Sequence, residues 1–509
     1  MNTYKKQANH RSTEALRAKY LTLLCTCASL WFICLLVSPA PAQTNNSQGD
    51  QPQIVTGSPP QTVTGDSPQI VILDNEIYAN NVSAVNIQGN RVSVEKCTIY
   101  QNGNAGIVVD NDAQALIQNN RIYSQEGAGI TVMGAGSAQV SIIGNQIHQN
   151  KMAGLQLGSK DRMVVPVHRS FKKNPSVILA QGGNQTNKGF GQISNLSKSL
   201  GDKTKGEDGK AKAGDKIQEG LTTITVDIQN NRIYHNGESG IKCQSEYPQH
   251  SIFLTAEYNA IFQNRKGGIL VANAAKVALR NNSIYENHKA GVSANRSKGP
   301  SPIPQVDIYQ NIIRGNEESG LELTGACSGP IGVCNNLIFH NGGSGIRFGA
   351  STMRIINNTI VSNGNLSQGS GIDQQEKSIP FIANNILAYN FKTGLNIKRQ
   401  KGYSHNLFFA NGGSGTCCDD CYSSSKFTEN KQLGGRKRNQ GDMICDPGFS
   451  NPDLFDFRLN TWSPAIDGGI PSPEFEDLHF PPSQGGRQND MGVTGGPLAF
   501  SWDPNAPVP

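Results

Sequence analysis

The chain has 509 residues, and 56 glycines and 51 asparagines stand against only 17% charged residues. Both residue types favour turns and are poor in helix interiors, which excludes a coiled coil or a helical solenoid. The net charge of +6 is local, because residues 1–19 carry +4, residues 160–222 carry +6, and the remainder sums to −4. A broad phosphate-binding face is thereby excluded, and no nucleic-acid partner is predicted.

The first 42 residues predict export. A basic head precedes the uncharged hydrophobic residues 20–38, and Ala40 and Ala42 then match the small-x-small pattern of signal-peptide cleavage. Two interpretations stay open, a cleaved signal peptide or an uncleaved anchor, since residues 20–38 just suffice to span a bilayer. In both, the rest of the chain is secreted or lies in the cell envelope, at the cell surface or in the periplasm. Membrane contact is predicted only through this segment if it is uncleaved.

A repeat follows a spacer rich in Pro, Thr and Gly over residues 43–69. The repeated phrase is Asn-x-Ile-aromatic-x-Asn followed by Gly-Ile-x-Val, as in Asn231–Asn236, and about twelve copies recur roughly two dozen residues apart. One gap is longer by about sixty residues, which places an insertion at 160–222. Its Lys/Gly/Asp run at 198–216 is too polar to bury a core and predicts a disordered loop.

The repeat unit predicts an all-β fold. Each unit holds two or three short apolar runs separated by Gly or Asn, and none of these runs is long enough for a helix in every unit. We therefore predict a single parallel β-helix of about twelve coils over residues 70–415, and a monomer. This layout resembles the right-handed parallel β-helix superfamily of pectate lyases and related carbohydrate-active proteins. The resemblance implies a right-handed coil and a polysaccharide partner.

The recurring polar and aromatic positions are interpreted as structural. Asparagines at one position of successive coils are expected to form two hydrogen-bonded ladders inside the turns, Asn120/Asn145/Asn231/Asn259/Asn282 and Asn236/Asn264/Asn287/Asn316/Asn341/Asn363/Asn390/Asn411. The aromatic column is interpreted as wall packing, with a sugar platform as the alternative; it contains Tyr78, Tyr100, Tyr123, Tyr234, Phe262, Tyr285, Phe339 and Phe409. His148, His235 and His340 are interpreted as turn residues.

Residues 416–509 are predicted to be a Cys-containing loop and a C-terminal capping segment. Eight cysteines follow the export segment, and an even number in an oxidising compartment predicts disulfides, with Cys327–Cys334 one plausible pair. A metal site at Cys418 and Cys421 is the alternative for that loop. The tail, from Ser463–Gly469 to Asp490–Gly492, resembles the closing segment of many bacterial secreted β-helix proteins. Its aromatic residues Phe449, Phe457 and Trp462 are expected to cover the last open coil.

A column of charged residues is the candidate site. The residue exposed after each Gly-Ile is expected on one outer sheet, and it becomes charged in the lower coils. The candidate catalytic residues are Glu322, Arg347 and Asp373, and the candidate substrate-binding residues are Lys242, Asn396 and Lys398. Glu322 and Asp373, two coils apart, would be separated by about 9.6 Å. That distance lies near the upper end for inverting glycosidases. In a lyase, Arg347 would be the candidate base or the clamp of a substrate carboxylate.

Two functions remain open on sequence alone. The first is an exported protein that binds and processes an extended acidic polysaccharide, as a lyase or a glycoside hydrolase. The second is a non-catalytic envelope scaffold or binding protein, including the type of periplasmic β-helix protein that serves copper-site maturation. A surface salt-bridge column would give the same charges, and the Asp-Asp block of polygalacturonases on a strand and the Asp-Pro-His-Asp motif of mannuronan epimerases are absent. No metal site and no cofactor is predicted, and Ca²⁺ is left open.

Overall fold

The computed structural model describes most of the repeat region and the C-terminal segment. It covers residues 55–56, 69–88, 91–110, 112–133, 137–158, 222–244, 250–273, 275–296, 303–349, 352–365, 368–399, 401–412, 433 and 437–503. The predictions for residues 1–42, for the run at 198–216 and for Cys417, Cys418 and Cys421 lie outside these residues. Within them, no helix is long and apolar enough to cross a membrane.

Three long sheets form the fold. Sheet A has 14 strands, Val55–Thr56, Asn75–Tyr78, Thr98–Tyr100, Arg121–Tyr123, Gln146–His148, Arg232–Tyr234, Ala260–Phe262, Ser283–Tyr285, Ile312–Arg314, Leu337–Phe339, Thr359–Val361, Ile386–Ala388, Leu407–Phe409 and Met443–Ile444. Sheet B has 12 strands, Gln69–Leu73, Arg91–Glu95, Gln114–Gln118, Ala138–Ile143, Thr222–Gln229, His250–Glu257, Ala275–Arg280, Gln305–Tyr309, Cys327–Cys334, Arg354–Ile356, Phe381–Ala383 and Tyr403–Ser404. Sheet C has 11 strands, Val85–Gln88, Ile107–Asp110, Ile130–Val132, Leu155–Leu157, Ile241–Gln244, Ile269–Ala272, Val292–Asn295, Leu321–Leu323, Ile346–Phe348, Ile372–Gln374 and Leu395–Asn396.

Each coil gives one strand to sheets B, A and C in turn, and coils stack through parallel pairs such as Arg232–Tyr234 on Ala260–Phe262. Sheet C therefore counts 11 complete coils, and a further coil adds strands to sheets B and A. The all-β parallel β-helix is confirmed, and the number of complete coils is slightly below the predicted twelve. Across the predicted insertion, Gln146–His148 pairs directly with Arg232–Tyr234, so the stack continues without a break.

Both asparagine ladders are confirmed, and both are longer than the sequence analysis proposed. In the turn from sheet B to sheet A, Asn120 starts a row in which each side-chain amide donates to the next side-chain oxygen at 2.9–3.0 Å. Beyond Asn282 this row continues through Asn311, Asn336, Asn358, Asn385 and Asn406. The second row, between sheets A and C, is joined at its upper end by Asn80, Asn102, Gln125 and Asn150. Each amide also donates to backbone carbonyls, which satisfies the buried turns.

A glycine column explains the Gly-Ile of the repeat. At Gly268, an added Cβ would lie 2.6 Å from the Gly291 carbonyl oxygen and 2.6 Å from Cγ2 of Ile284. Most glycines at this position of the other coils are equally crowded; a Cβ added at Gly240, for example, would lie 2.6 Å from Cγ2 of Ile261. Only a residue without Cβ lets the A–C turn approach the next coil so closely.

The upper part of the aromatic column is a stack on the outer face of sheet A, whereas Phe339 and Phe409 lie outside it because Arg314 follows Tyr285 in the register. Ring centroids lie 4.8–5.1 Å apart and neighbouring planes are within 13° along Tyr78, Tyr100, Tyr123, His148, Tyr234, Phe262 and Tyr285. Because each inner ring is covered on both faces, no inner face is open to a sugar, which favours wall packing. Membership of His148 in the stack corrects its assignment to a turn. His235 and His340 do lie in turns, each with a φ of 54°.

The C-terminal segment lies along the outer face of sheet A. Phe449, from a short antiparallel pair formed by Phe449–Asn451 and Asp456–Leu459, packs in one apolar cluster with Leu337 and Ile386. Two short 3₁₀ turns, Pro452–Leu454 and Pro473–Phe475, lie in the same segment.

The tail aromatics therefore lie elsewhere than expected. Phe449 and Phe457 pack against outward side chains of sheet A and not over the end of the core, and Trp462 is 65% exposed. The physical reason is that the last coils present Leu and Ile outward where earlier coils present Arg and Gln, as at Arg121 and Gln146.

The five cysteines that the structure describes are free thiols, namely Cys97, Cys243, Cys327, Cys334 and Cys445. The proposed Cys327–Cys334 pair is not formed, and these thiols contact the backbone oxygens of Pro304 at 3.7 Å and Ile331 at 3.2 Å. Burial in the core raises the pKa of Cys243 to about 12. Such a thiol is a packing residue and not a reactive one.

Candidate functional site

The strand register places the predicted column on the outer face of sheet C. Consecutive members are direct neighbours in adjacent strands, in the order Val108, Thr131, Gln156, Lys242, Leu270, Ser293, Glu322, Arg347, Asp373 and Asn396. In the strands of the last four, the flanking residues are buried. Glu322, Arg347, Asp373 and Asn396, here named the charged column, therefore lie side by side on four successive coils.

The carboxylate of Asp373 accepts two side-chain hydrogen bonds. Its side chain is 15% exposed, and Oδ1 accepts a hydrogen bond from Nδ2 of Asn396 at 2.8 Å. Its other oxygen accepts from Nε2 of Gln375 at 2.7 Å and lies 3.7 Å from Nε of Arg347. With both oxygens engaged, this carboxylate is suited to positioning Arg347 rather than to transferring a proton.

Arg347 keeps most of its donors unused. Its side chain is 29% exposed, and Asp373 is its one ion-pair partner among the described residues. Buried Nε makes no hydrogen bond within the described structure, since 3.7 Å is too long for one. A guanidinium offers five N–H donors and is not deprotonated in proteins, so the role of base is unsuitable and the role of carboxylate clamp is suitable.

Glu322 lies on the other side of Arg347 in the register. It accepts no hydrogen bond from another described side chain, but it faces a cation on the neighbouring A–C turn. The ammonium of Lys289 donates to Glu318 at 3.0 Å, and this bond, with the nearby charges of Glu318 and Glu322, raises the pKa of Lys289. Glu322 is thus the carboxylate of the column that is not committed to an internal hydrogen bond.

The two lysines of the prediction lie in different places. Lys242 is three coils above Glu322, about 14 Å away at ~4.8 Å per coil. Its ammonium nitrogen lies 3.9 Å from a carboxylate oxygen of Glu238. Lys242 is therefore not part of the charged column. Lys398 is exposed and follows Asn396 by two residues, and its backbone N–H donates to Oε1 of Gln374 at 2.9 Å. It lies at the lower end of the column.

Sequence reasoning missed Gln375 and Lys289. Gln375 follows Asp373 by two residues, so strand alternation was the signal that would have placed it on the same face. Lys289 lies in a turn, where a period of two gives no orientation. Within the described ranges, no group of three or more His, Cys, Asp or Glu side chains is placed to hold a metal ion.

A family comparison bears on the fold. The family model described as a right-handed β-helix region matches residues 62–190 and 223–303. No curated protein matches the chain. The three parallel sheets and the family match together show a right-handed parallel β-helix fold built from repeats.

Three solved structures are similar to this chain at low sequence identity. The A-module of mannuronan C-5 epimerase AlgE6 from Azotobacter vinelandii is 11% identical, with a TM-score of 0.40 over 75% of this chain and 90% of that chain. Pectate lyase Pel9A is 13% identical, with a TM-score of 0.37 over 84% and 87%. The periplasmic alginate epimerase AlgG is 11% identical, with a TM-score of 0.32 over 75% and 85%.

Proposed function

We propose that this protein binds an extended acidic polysaccharide on the outer face of sheet C, and that Arg347 takes a sugar carboxylate. The observation that carries the proposal is the state of Arg347, an outward guanidinium held by Asp373 at 3.7 Å with its hydrogen-bond donors unused. A planar fork of N–H donors matches a carboxylate in two parallel hydrogen bonds. Uronic acid units carry one such carboxylate each.

Polar side chains beside the column suit the hydroxyl groups of the same chain. Asn295 donates to Oγ of Ser293 at 2.8 Å and accepts from Oγ1 of Thr324 at 3.1 Å, all on the coils just above Arg347. A polymer lying along the stack would meet these groups and then Arg347 at intervals of ~4.8 Å. The face therefore suits an extended ligand that crosses several coils.

Binding is common to the two functions that the sequence left open. The hydrolase variant requires Glu322 and Asp373 to act as a pair, and the two internal hydrogen bonds of Asp373 speak against that role. Glu322 is the residue through which any processing would act. The export predicted from residues 1–42 supports binding in the cell envelope or outside the cell, where acidic polysaccharides occur.

Replacing Arg347 with alanine is expected to weaken binding of a polygalacturonate or alginate oligosaccharide by about tenfold or more, because the charged hydrogen bonds to the carboxylate are lost. The free energy of unfolding is expected to change by only about 0–1 kcal/mol, since the ion pair with Asp373 is partly exposed. Titration calorimetry and thermal unfolding of the full chain measure the two effects.

Arg354→Ala is the matched control, because Arg354 is an exposed arginine on a strand of sheet B. It should leave affinity unchanged. Arg347→Lys keeps the charge but loses the planar fork, and it should restore only part of the affinity. If Arg347→Ala and Arg354→Ala lose the same affinity, the effect of charge is non-specific. If Arg347→Ala keeps full affinity, the proposal is refuted. Release of unsaturated or reducing ends during the same incubation would reveal processing.

A further inference from the structure

A groove lies on the outer face of sheet B. Its volume is about 340 Å³, and it crosses four successive strands from Arg91–Glu95 to Thr222–Gln229. Its polar lining among the described residues consists of Arg91, Gln114, Gln139, Ser141, Thr225 and Asp227. The charged column lies on sheet C, so this groove is separate from the site of the proposed function.

The polar side chains of the groove are uncommitted. The strand register aligns Gln114 with Gln139 and Ser141 with Asp227, which gives two parallel rows along the stack. None of these four side chains hydrogen-bonds to another described residue. Amide, hydroxyl and carboxylate groups together offer donors and acceptors in alternation, which is what sugar hydroxyls require. The lining contains one cation, Arg91, and one anion, Asp227, so it favours neither an acidic nor a basic ligand.

An exposed aromatic ring lies one strand beyond the lining of the groove. Thr225 is paired in register with Phe253 on the next strand, and Phe253 is 38% exposed. The ammonium of Lys276, one strand further, lies 5.3 Å from the ring centroid. In the strand register Phe253 lies between Lys276 and Thr225, so Lys276 is on the side away from the groove. An exposed aromatic face beside polar groups suits the apolar C–H face of a pyranose ring.

We propose that this groove binds a neutral glycan chain that runs along the stacking direction. Phe253 packs against one pyranose ring, and Gln139, Ser141 and Asp227 bond to the hydroxyls of the following units. From Arg91 to Phe253 the path crosses four strand spacings, about 19 Å at ~4.8 Å each. That length accommodates a short oligosaccharide. The protein then holds two glycan segments of different charge on two of its sheets.

Titration calorimetry of the full chain with cellohexaose, laminarihexaose and mannohexaose tests the proposal, with hexagalacturonate measured in parallel. At least one neutral hexasaccharide is expected to bind. Phe253→Ala and Gln139→Ala are each expected to weaken that binding by about tenfold, the equivalent of one lost ring contact or hydrogen bond. Both variants should leave hexagalacturonate binding unchanged.

Two matched variants serve as controls. Tyr258 is a 53% exposed aromatic residue outside the groove lining, and Gln305 occupies the same outward row as Gln139 beyond Lys276. Tyr258→Ala, Gln305→Ala and Arg347→Ala should all retain the neutral glycan. The proposal is overturned if none of the three neutral hexasaccharides binds, if both groove variants bind as the unmodified chain does, or if the controls lose as much affinity. Should Phe253→Ala not fold, the exposed Gln139→Ala decides alone.

Discussion

Asn282→Ala is expected to lower the free energy of unfolding by about 3 to 5 kcal/mol, because it leaves several buried groups without partners. Nδ2 of Asn282 donates to the Ala256 carbonyl at 2.8 Å and to Oδ1 of Asn311 at 3.0 Å. Oδ1 of Asn282 accepts from the backbone N–H and the side-chain amide of Asn259, at 3.0 and 2.9 Å. Alanine removes all of these bonds, and water does not reach the turn, since Asn282 is 1% exposed.

Urea unfolding followed by circular dichroism measures the change. Asn81→Ala is the matched control, because Asn81 is an exposed asparagine in the turn after Asn80 and belongs to neither ladder. Its effect should stay within about 0.5 kcal/mol, as for an ordinary surface substitution. If Asn282→Ala lowers the free energy of unfolding by less than about 1 kcal/mol, the hydrogen bonds of the ladder contribute little to the stability of the fold.

The ladder shows why the fold was predictable from sequence. A residue that repeats at one position of every coil is repeated in space at one strand spacing, so the period alone fixes the stacking. Asn311, Asn336 and Asn358 obey the same rule as Asn282, so the predicted row was correct but too short. The same rule placed Glu322, Arg347 and Asp373 in adjacent strands, because their strands share one register.

What the period does not determine is how side chains engage one another. The hydrogen bonds from Gln375 and Asn396 to Asp373 depend on rotamers, and they change that residue from a candidate acid to a positioning group. The groove on sheet B is a further case, because it depends on the depth between outward side chains such as Gln139 and Phe253. The alternation of apolar and polar residues predicts which face a side chain lies on, but it does not predict how deep the groove is.

The tail aromatics Phe449 and Phe457 lie elsewhere than expected for a related reason. The docking of the C-terminal segment depends on outward turn residues far away in sequence, since Asn335 donates to the Val493 carbonyl at 3.0 Å and Asn357 donates to Oδ1 of Asn489 at 2.9 Å. These asparagines each precede a ladder position and have φ values of 50° and 55°. In sequence they are indistinguishable from ordinary left-handed turn residues, which asparagine supplies readily.

The same segment contains a buried carboxyl group whose charge opposes folding. Asp490 is fully buried, and its oxygens accept from the backbone N–H groups of Asp467 at 2.9 Å and Gln484 at 2.8 Å. Its own N–H donates to Oδ2 of Asp477 at 2.7 Å. Burial, together with the charges of Asp477 and Asp467, raises the pKa of Asp490 from 3.8 to about 7. Burial also raises the pKa of Asp477.

The sign of the pH effect follows from linkage. A carboxyl group with a raised pKa binds its proton more tightly in the folded chain, so its contribution to stability is complete below pH 3.8 and is lost as the pH rises through about 7. A shift of that size corresponds to roughly 4 kcal/mol. Burial lowers the pKa of His148 and His340, which acts in the opposite direction, because their contribution is lost as the pH falls below 6.5.

Comparison of the unmodified chain with Asp490→Asn isolates this one group, since both chains contain the same histidines. Asparagine stays neutral, although its amide cannot accept both N–H groups, so the variant starts less stable at pH 4. As the pH rises to 8.5, we expect the unmodified chain to lose roughly 4 kcal/mol relative to the variant, measured by urea unfolding at each pH. Asp453→Asn changes an exposed carboxylate of the same segment, and its free energy of unfolding should depend on pH as that of the unmodified chain does. Parallel curves for Asp490→Asn as well would show that Asp490 is ionised in the folded protein at acidic pH, and that burial does not raise its pKa.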